Sequence, residues 1–517
     1  MKALLMHLDR DFDLQQPLPA HEPILSKDLE LATLLGVMAN NDDFVCKVAQ
    51  CALLTGMGND RETILYRQEI ARDAVRNPQV VHQLYALAID AIEQKRKNYF
   101  GYFGHHPSSI LHGAVQVVQV FMEILKSIRT LTDEASVSFE SRGFNALSRM
   151  IRDEFSDEYF AGIQAHLLQL KFNDGVPLSA RLGPGNQGKD YVLHPSQGRK
   201  SGWLKRMLGR RSTAYTIHIH PRDDAGAKAL AALRDQGIAR VADVLSQSME
   251  HMLRFFEMLR TELAFYVGCI HLHDRLMQIH APVTFPVPQP PGTASHHFSE
   301  LYDVCLALNM GRCIVGNTVD ADGKPLVVIT GANQGGKSSF LRSVGLAQLM
   351  MQCGMFVAAQ SFTAALCSGI FTHYRREEDS TMVSGKLDEE LARMSAIADL
   401  IKPRAMMLFN ESFASTNERE GAQIARQIID ALLEREITIF CVTHLYALSH
   451  PLFVQESEKA LFLRAERAPD GTRSFQLGAG EPLETSYGED LYRIVFAPAG
   501  GQDAEAEPDA SPAAGSS

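Results

Sequence analysis

The chain has 517 residues, 45% of them hydrophobic and 21% charged, with a formal net charge of −11. This length allows about two to four domains, and the composition is that of an ordinary globular protein. The acidity excludes a protein that coats nucleic acid with its whole surface, but it leaves room for a local basic site, because screening makes charge a regional property.

The opening "MKALLMHLDRDF" has too short an apolar patch for a secretory signal. No run of about 18 apolar residues follows, so no membrane span is expected. The eight cysteines are scattered without a C-x-x-C pair, which indicates neither a zinc ribbon nor a disulfide framework. The expected location is the reducing cytoplasm.

To about residue 170 the pattern is mostly helical. In "RNPQVVHQLYALAIDAIEQKRK", Asn77 before Pro78 is a start signal, and Val80, Val81, Leu84, Leu87, Ala88 and Ala91 follow on one face. "VQVVQVFMEILKSIRTL" (115–131) reads as another buried helix. Between about 172 and 225 the periodicity breaks, with "AYTIHIH" suggesting a strand. His218 and His220 share a face of that strand and read as structural, since no third ligand converges on them.

Helical spacing returns at Asp243 and persists to about Gln278 without a proline. Such a helix would run on the order of 50 Å at ~1.5 Å per residue, with Gly268 as a point where it could bend. "APVTFPVPQPPG" (281–292) cannot continue a helix and reads as a linker. The last stretch, "GGQDAEAEPDASPAAGSS", reads as a disordered tail.

"VVITGANQGGKSSFLRSVGLAQLMMQCG" begins as a strand from Val327 to Thr330, passes through a glycine-rich loop and becomes a helix that stops at Gly354. Gly331, Gly336, Lys337 and Ser338 fit G-x-x-x-x-G-K-[ST]. In such a loop glycines let backbone N–H groups wrap phosphate oxygens, and the helix N-terminus adds positive potential. The lysine reaches the β/γ-phosphates and the serine hydroxyl can ligate Mg²⁺, so ATP and Mg²⁺ are the expected ligands.

"AMMLFNE" fits a further buried parallel strand ending in Asn410-Glu411. Glu411 is placed to orient or deprotonate the attacking water. Asn410 stands where an Asp would hold the metal. It keeps an oxygen but loses the charge, so weaker metal affinity or slower turnover is expected. Asn417 and Glu420 read as a capping pair opening the next helix. A third strand, "ITIFCVTH", ends in His444, which could sense the γ-phosphate.

"TGANQGGKSSFLR", "SGKLDEEL", "LFNESFASTNEREG" and "CVTH", in this order, resemble the ATPase domain of the MutS family of DNA mismatch-repair proteins. "IVGNTV" and "TSYGEDLYRIV" (485–495) extend the likeness over roughly residues 300 to 495, and "ILYRQEIARDAV" (64–75) carries it more weakly into the helical region. The resemblance, with the linker and tail read from composition, divides the chain into four regions. Residues 1–281 would be a mostly α-helical core and lever domain, with an irregular, basic, clamp-like insert at about 172–225. Residues 282–300 would be the linker and 301–497 an α/β P-loop ATPase domain, a mainly parallel sheet flanked by helices. Residues 498–517 would be the tail.

It also implies a dimeric ATP-driven clamp on DNA, duplex or branched. Asn317 would contact the adenosine end of ATP. Asn333, Gly335 and Ser339 would join Lys337 and Ser338 around the phosphates, with Ser338 and Asn410 at the metal. Ser384 would reach the partner's nucleotide, although "SGKLDEEL" departs from the family's Ser-x-Phe-x-x-Glu by one residue and lacks the aromatic. Few residues precede the helical core, and no Phe-x-Glu occurs among the first hundred. Neither a MutL-docking nor a nuclease domain is evident. The expectation is therefore DNA binding without mismatch recognition.

"GRKSGWLKRMLGRRS" carries Arg199, Lys200, Lys205, Arg206, Arg210 and Arg211 around Trp203, with no acid between them. It is either a contact to DNA backbone or a solvated basic loop. Six neutralised phosphates would give a log–log salt slope of about −5. Two alternatives to an ATP-driven DNA clamp stay open: a nucleotide-gated binding module with vestigial hydrolysis, and an ATPase acting on RNA or a ribosomal complex.

Overall fold

The computed structural model describes residues 1–99, 106–135, 138–172, 176–184, 188–194, 222–376, 385–467 and 473–484. These fall into two units. The first is Met1–Pro290 together with Ala307–Cys313 and Ala347–Ala358; the second is Pro291–Leu306, Ile314–Leu346 and the chain from Ala359 on. The basic stretch from Arg199 to Arg211, Trp203, His218, His220, Ser384, the Ser486–Gly488 segment and the tail lie outside the described residues.

In the first unit the helices are α1 (Glu22–Asp28), α2 (Leu31–Ala39), α3 (Asp43–Thr55), α4 (Arg61–Arg76), α5 (Pro78–Tyr99), α6 (Pro107–Ala135), α7 (Arg142–Glu154) and α8 (Asp157–Leu170). Asp42, Asp60, Ser141 and Ser156 each accept a backbone N–H from the first turn of the helix they open, satisfying donors that would otherwise be orphaned. Asn77 serves both neighbouring helices: its side chain donates to the Asp73 carbonyl at the end of α4, and its own carbonyl accepts the Val81 N–H in the first turn of α5, behind Pro78.

β1 (Leu178–Leu182) and β2 (Gly188–Leu193) form a short antiparallel pair. The long helix α9 then runs from Asp224 to Gln278, 55 residues, or roughly 80 Å at ~1.5 Å each. It begins well before Asp243, because "DAGAKALAALRDQGIARVA" is rich in good helix formers but weak in apolar periodicity. Gly268 lies within the unbroken helix, where a Cβ would stand 3.2 Å from Met38 and 3.3 Å from Val45. Its smallness lets α9 approach α2 and α3.

By length and apolarity α6 matches a membrane span, which the sequence reading did not anticipate. Its buried residues, Leu111 to Ala135, pack it against α5 and α9. The proline-rich segment is likewise no free linker. Up to Pro290 it is docked on the first unit: Gln68 donates to the Pro286 carbonyl and Arg61 to that of Pro288. Arg72 stacks over Phe285, and β3 is Val287–Gln289.

A buried polar centre ties this unit together. Arg67, 1% exposed, donates to the carbonyls of Met6 (2.7 Å) and Cys353 (3.3 Å). Glu262 of α9, fully buried, accepts the backbone N–H groups of Leu5 and Phe12. Burial pushes its carboxyl up to about 7, against those hydrogen bonds.

The second unit has β4 (His296–Leu301), β5 (Asn317–Asp320), β6 (Leu326–Gly331), β7 (Ser361–Ala365), β8 (Ile370–Tyr374), β9 (Met406–Asn410), β10 (Thr438–Val442), β11 (Ala460–Arg467) and β12 (Arg473–Ala479). The helices of this half of the chain are α10 (Val304–Met310), α11 (Lys337–Cys353), α12 (Lys386–Leu400), α13 (Glu418–Leu433) and α14 (Tyr446–Glu456). The main sheet has the order β12-β11-β6-β10-β9-β8, parallel throughout except for β12.

Both faces of the central strands are covered, which is why they read as unbroken apolar runs. Leu326, Val328, Met407, Phe409, Ile439 and Cys441 face a core shared with α12, α13 and α14. Phe440, pointing the other way, meets buried His296, which also packs on Phe298 and Phe362. Burial lowers the His296 ring to about 4.

Candidate nucleotide site

The loop between β6 and α11 is shaped by its glycines. Gly331 has φ +103° and Gly336 φ +88°, in the region that favours glycine. A Cβ on Gly331 would also stand 2.8 Å from the Ala465 nitrogen. Asn333, Gly335, Gly336, Lys337, Ser338 and Ser339 line an open cleft of about 270 Å³, together with Leu306, Gln334, Glu411 and Phe475.

Lys337 heads α11 and is 5% exposed. Its Nζ donates to the carbonyls of Gly331 (2.8 Å) and Ala332 (2.9 Å). Burial lowers its pKa, while Glu411 opposes that shift. Ser338 Oγ donates to Asn410 Oδ1 at 3.1 Å, so the hydroxyl and the amide oxygen stand side by side. Two adjacent neutral hard oxygens suit Mg²⁺, which keeps several of its waters.

β10 lies between β6 and β9, so Glu411 arrives from the second strand away. Its N–H donates to the Val442 carbonyl (2.9 Å). Glu411 and Phe413 have φ of 53° and 61°; such left-handed non-glycine backbone costs of order 1–3 kcal/mol per residue and persists only where the surroundings enforce it. The Glu411 carboxylate has two cations at 3.9 Å, Arg375 Nη1 and, when protonated, His444 Nδ1. His444 stands beyond the end of β10 and meets Glu411. Downstream, Asn417 caps α13 by accepting the N–H of Glu420.

Asn317 is 7% exposed and both ends of its amide are engaged. It accepts the Leu477 N–H (2.8 Å) and donates to the Phe475 carbonyl (3.4 Å). In this structure it fastens β12 beside β5 and does not itself line the cleft.

Three residues near the site escaped the sequence reading. Arg375 follows β8, whose apolar run "GIFTHY" was the available signal. Phe475, φ 60° and 49% exposed, comes from β12, where the short alternation of Phe475, Leu477 and Ala479 with Ser474, Gln476 and Gly478 was the available signal. Leu306 belongs to a short helix far upstream, and nothing local marks it.

A parallel sheet with a glycine loop and lysine-headed helix at its carboxyl edge, and an acid closing a nearby strand, is the layout of an α/β ATPase domain. Two family descriptions match the chain: "MutS2 N-terminal domain" over residues 59–279 and "MutS domain V" over residues 327–500. The chain is a MutS-like protein.

It is 25% identical over 345 residues to the DNA mismatch repair protein msh3 of Aspergillus niger, covering 60% of this chain and 29% of that protein. It is 24% identical over 334 residues to the endonuclease MutS2 of Streptococcus sanguinis, covering 63% and 41%. With the DNA mismatch repair protein MutS of Thermotoga neapolitana it shares 30% over 187 residues, covering 34% and 23%. The match thus spans less than half the length of each of these relatives.

Proposed function

We propose that the chain binds ATP in this cleft, hydrolyses it, and uses the cycle to hold DNA as a homodimeric clamp in repair or recombination, without recognising mismatches. The observation that carries the reading is the convergence of the loop, Lys337, the Ser338–Asn410 pair and Glu411 on one cleft. The relatives named for mismatch repair support the DNA half.

The loop amides and the start of α11 would receive phosphate oxygens. Lys337 Nζ would turn from its two carbonyls to the β/γ-phosphates. Ser338 and Asn410 would hold Mg²⁺, which supplies neutralisation of phosphate charge. Glu411 would orient the attacking water and take up its proton, with His444 and Arg375 fixing its carboxylate.

ATP turnover by the full chain, compared with Glu411→Gln, tests the enzymatic half. Equal slow rates would remove the hydrolytic reading and leave a nucleotide-gated module, the alternative that the uncharged amide at Asn410 favours. For the nucleic-acid half, gel shifts should show equal affinity for homoduplex and single-mismatch DNA. A strong, salt-resistant mismatch preference would overturn that part, and ATPase stimulation by structured RNA but not by duplex DNA would redirect it to RNA.

A further inference from the structure

Glu411 lines the cleft, but the residues that hold it do not. Next to it, Ser412 is 7% exposed. The single proton of its hydroxyl lies between two acceptors of His373, the backbone carbonyl (2.5 Å) and, with the neutral ring protonated at Nε2, the Nδ1 nitrogen (2.7 Å). The imidazole is fully buried, stacks on Phe413 with ring centres 5.1 Å apart, and has Nε2 3.0 Å from the Glu390 carbonyl on α12. Two positions further along β8's edge, the Arg375 N–H donates to the Asn410 carbonyl (2.9 Å).

The turn that presents Glu411 is therefore gripped by β8 through main chain and side chain together. Ser412 sits between the two left-handed residues, Glu411 and Phe413, where the backbone depends most on outside support. A merely satisfied core histidine needs hydrogen-bond partners somewhere. Here one of them is the hydroxyl adjoining the acid, and the ring also packs on the residue after it. Burial, reinforced by Arg393, lowers the ring to about 4, so it brings no charge to the turn at neutral pH.

We propose that His373 and Ser412 are a positioning pair that fixes the Glu411 carboxylate at the phosphate-loop cleft; this rests on the ATPase reading of that cleft. The pair acts through backbone geometry, so its loss should leave nucleotide affinity alone and slow the chemical step. A small displacement of a reacting group is enough to lower turnover about ten- to a hundredfold.

The experiment is steady-state ATP turnover by the full chain with Ser412→Ala, Ser412→Cys and Ser412→Thr, alongside binding of a fluorescent ATP analogue. Alanine and cysteine should lower kcat by about tenfold or more with KM and analogue affinity within about twofold. Threonine, which keeps the hydroxyl, should restore most of kcat, and His373→Asn, which keeps an amide near the Nδ1 position, should fall between. Cysteine is nearly the size of serine, so it decides the matter if the alanine variant does not fold. Wild-type kcat in the cysteine variant, a loss that threonine does not recover, or a parallel loss of analogue binding overturns the pair alone. Wild-type turnover indifferent to Glu411→Gln overturns the ATPase reading and the pair with it.

Discussion

In the helical unit, Arg67 is 1% exposed and Glu262 fully buried, and both are bonded inside the fold, Arg67 to the carbonyls of Met6 and Cys353 and to the His7 ring, Glu262 to the N–H groups of Leu5 and Phe12. In the α/β unit, the side chains of Glu411, His444 and Arg375 are 31%, 35% and 46% exposed, and approach one another no closer than 3.9 Å. The first arrangement cannot answer a ligand without coming apart. The second can, because weak, solvated ion pairs are cheap to exchange. Burial and saturation of partners thus separate charges that hold the fold from charges available to a substrate.

The sharpest way to break this contrast is to remove one charge from each side. Glu411→Gln should lower ATP turnover by about 10²–10⁴-fold while urea unfolding stays within about 0.5 kcal/mol of wild type. A large loss of stability would place Glu411 with the structural charges. Arg67→Ala should do the opposite in the same urea titration, with a loss of about 2–5 kcal/mol, because it empties a buried site and leaves the Met6 and Cys353 carbonyls without their donor.

Next in size is a pH effect specific to the helical unit. Burial holds the Glu262 carboxyl up at about 7 in the folded protein, above its ordinary value of 4.5. The folded state therefore binds its proton more tightly than the unfolded chain. This group's contribution is most favourable below about pH 4.5, declines as pH rises through 4.5 to 7, and is flat above that. The change is a few kcal/mol at most. The stability difference between wild type and Glu262→Gln, followed by thermal unfolding from pH 4.5 to 8, should show that decline. His296 and His373, lowered to about 4, act with the opposite sign, penalising the fold as pH falls from 6.5 toward 4. They are unchanged in the glutamine variant and cancel in the difference.

Asn410→Asp should lower the Mg²⁺ concentration for half-maximal turnover about tenfold, or roughly 1.4 kcal/mol. An unchanged Mg²⁺ dependence would detach Asn410 from the metal. The smallest expected effect lies in the basic stretch. Reversing Arg206, Arg210 and Arg211 should flatten the log–log salt slope of DNA binding by about 3, and an unaltered slope would free that stretch from any phosphate contact.

The phosphate-loop half was legible because its physics is local. A strand buried on both faces reads as an apolar run, and Gly331, Gly336, Lys337 and Ser338 must follow at fixed spacing. The start of α9 was missed because residues 224–242 form helix by propensity and not by amphipathic pattern. The docking of residues 281–290 depends on Arg61, Gln68 and Arg72, which are distant in sequence. No local signal announces such partners. The same holds for Arg67 with Cys353, for Glu262 with Leu5, and for His373 with Ser412, whose meanings exist only once the elements have packed. Arg375 stands just past the end of β8 and Phe475 within β12, and neither belongs to a motif that names a ligand.

The ammonium of Lys337 rests on two peptide oxygens of its own loop. An arriving anion must therefore displace them, and its apparent affinity measures a contest between partners. Sulfate or a single phosphate, engaging few of the loop amides, gains little from that exchange. A polyphosphate chain that occupies the amides and the ammonium together gains much more. On the ATP reading proposed above, discrimination in favour of a nucleoside triphosphate over small inorganic anions would follow from the way the loop binds itself.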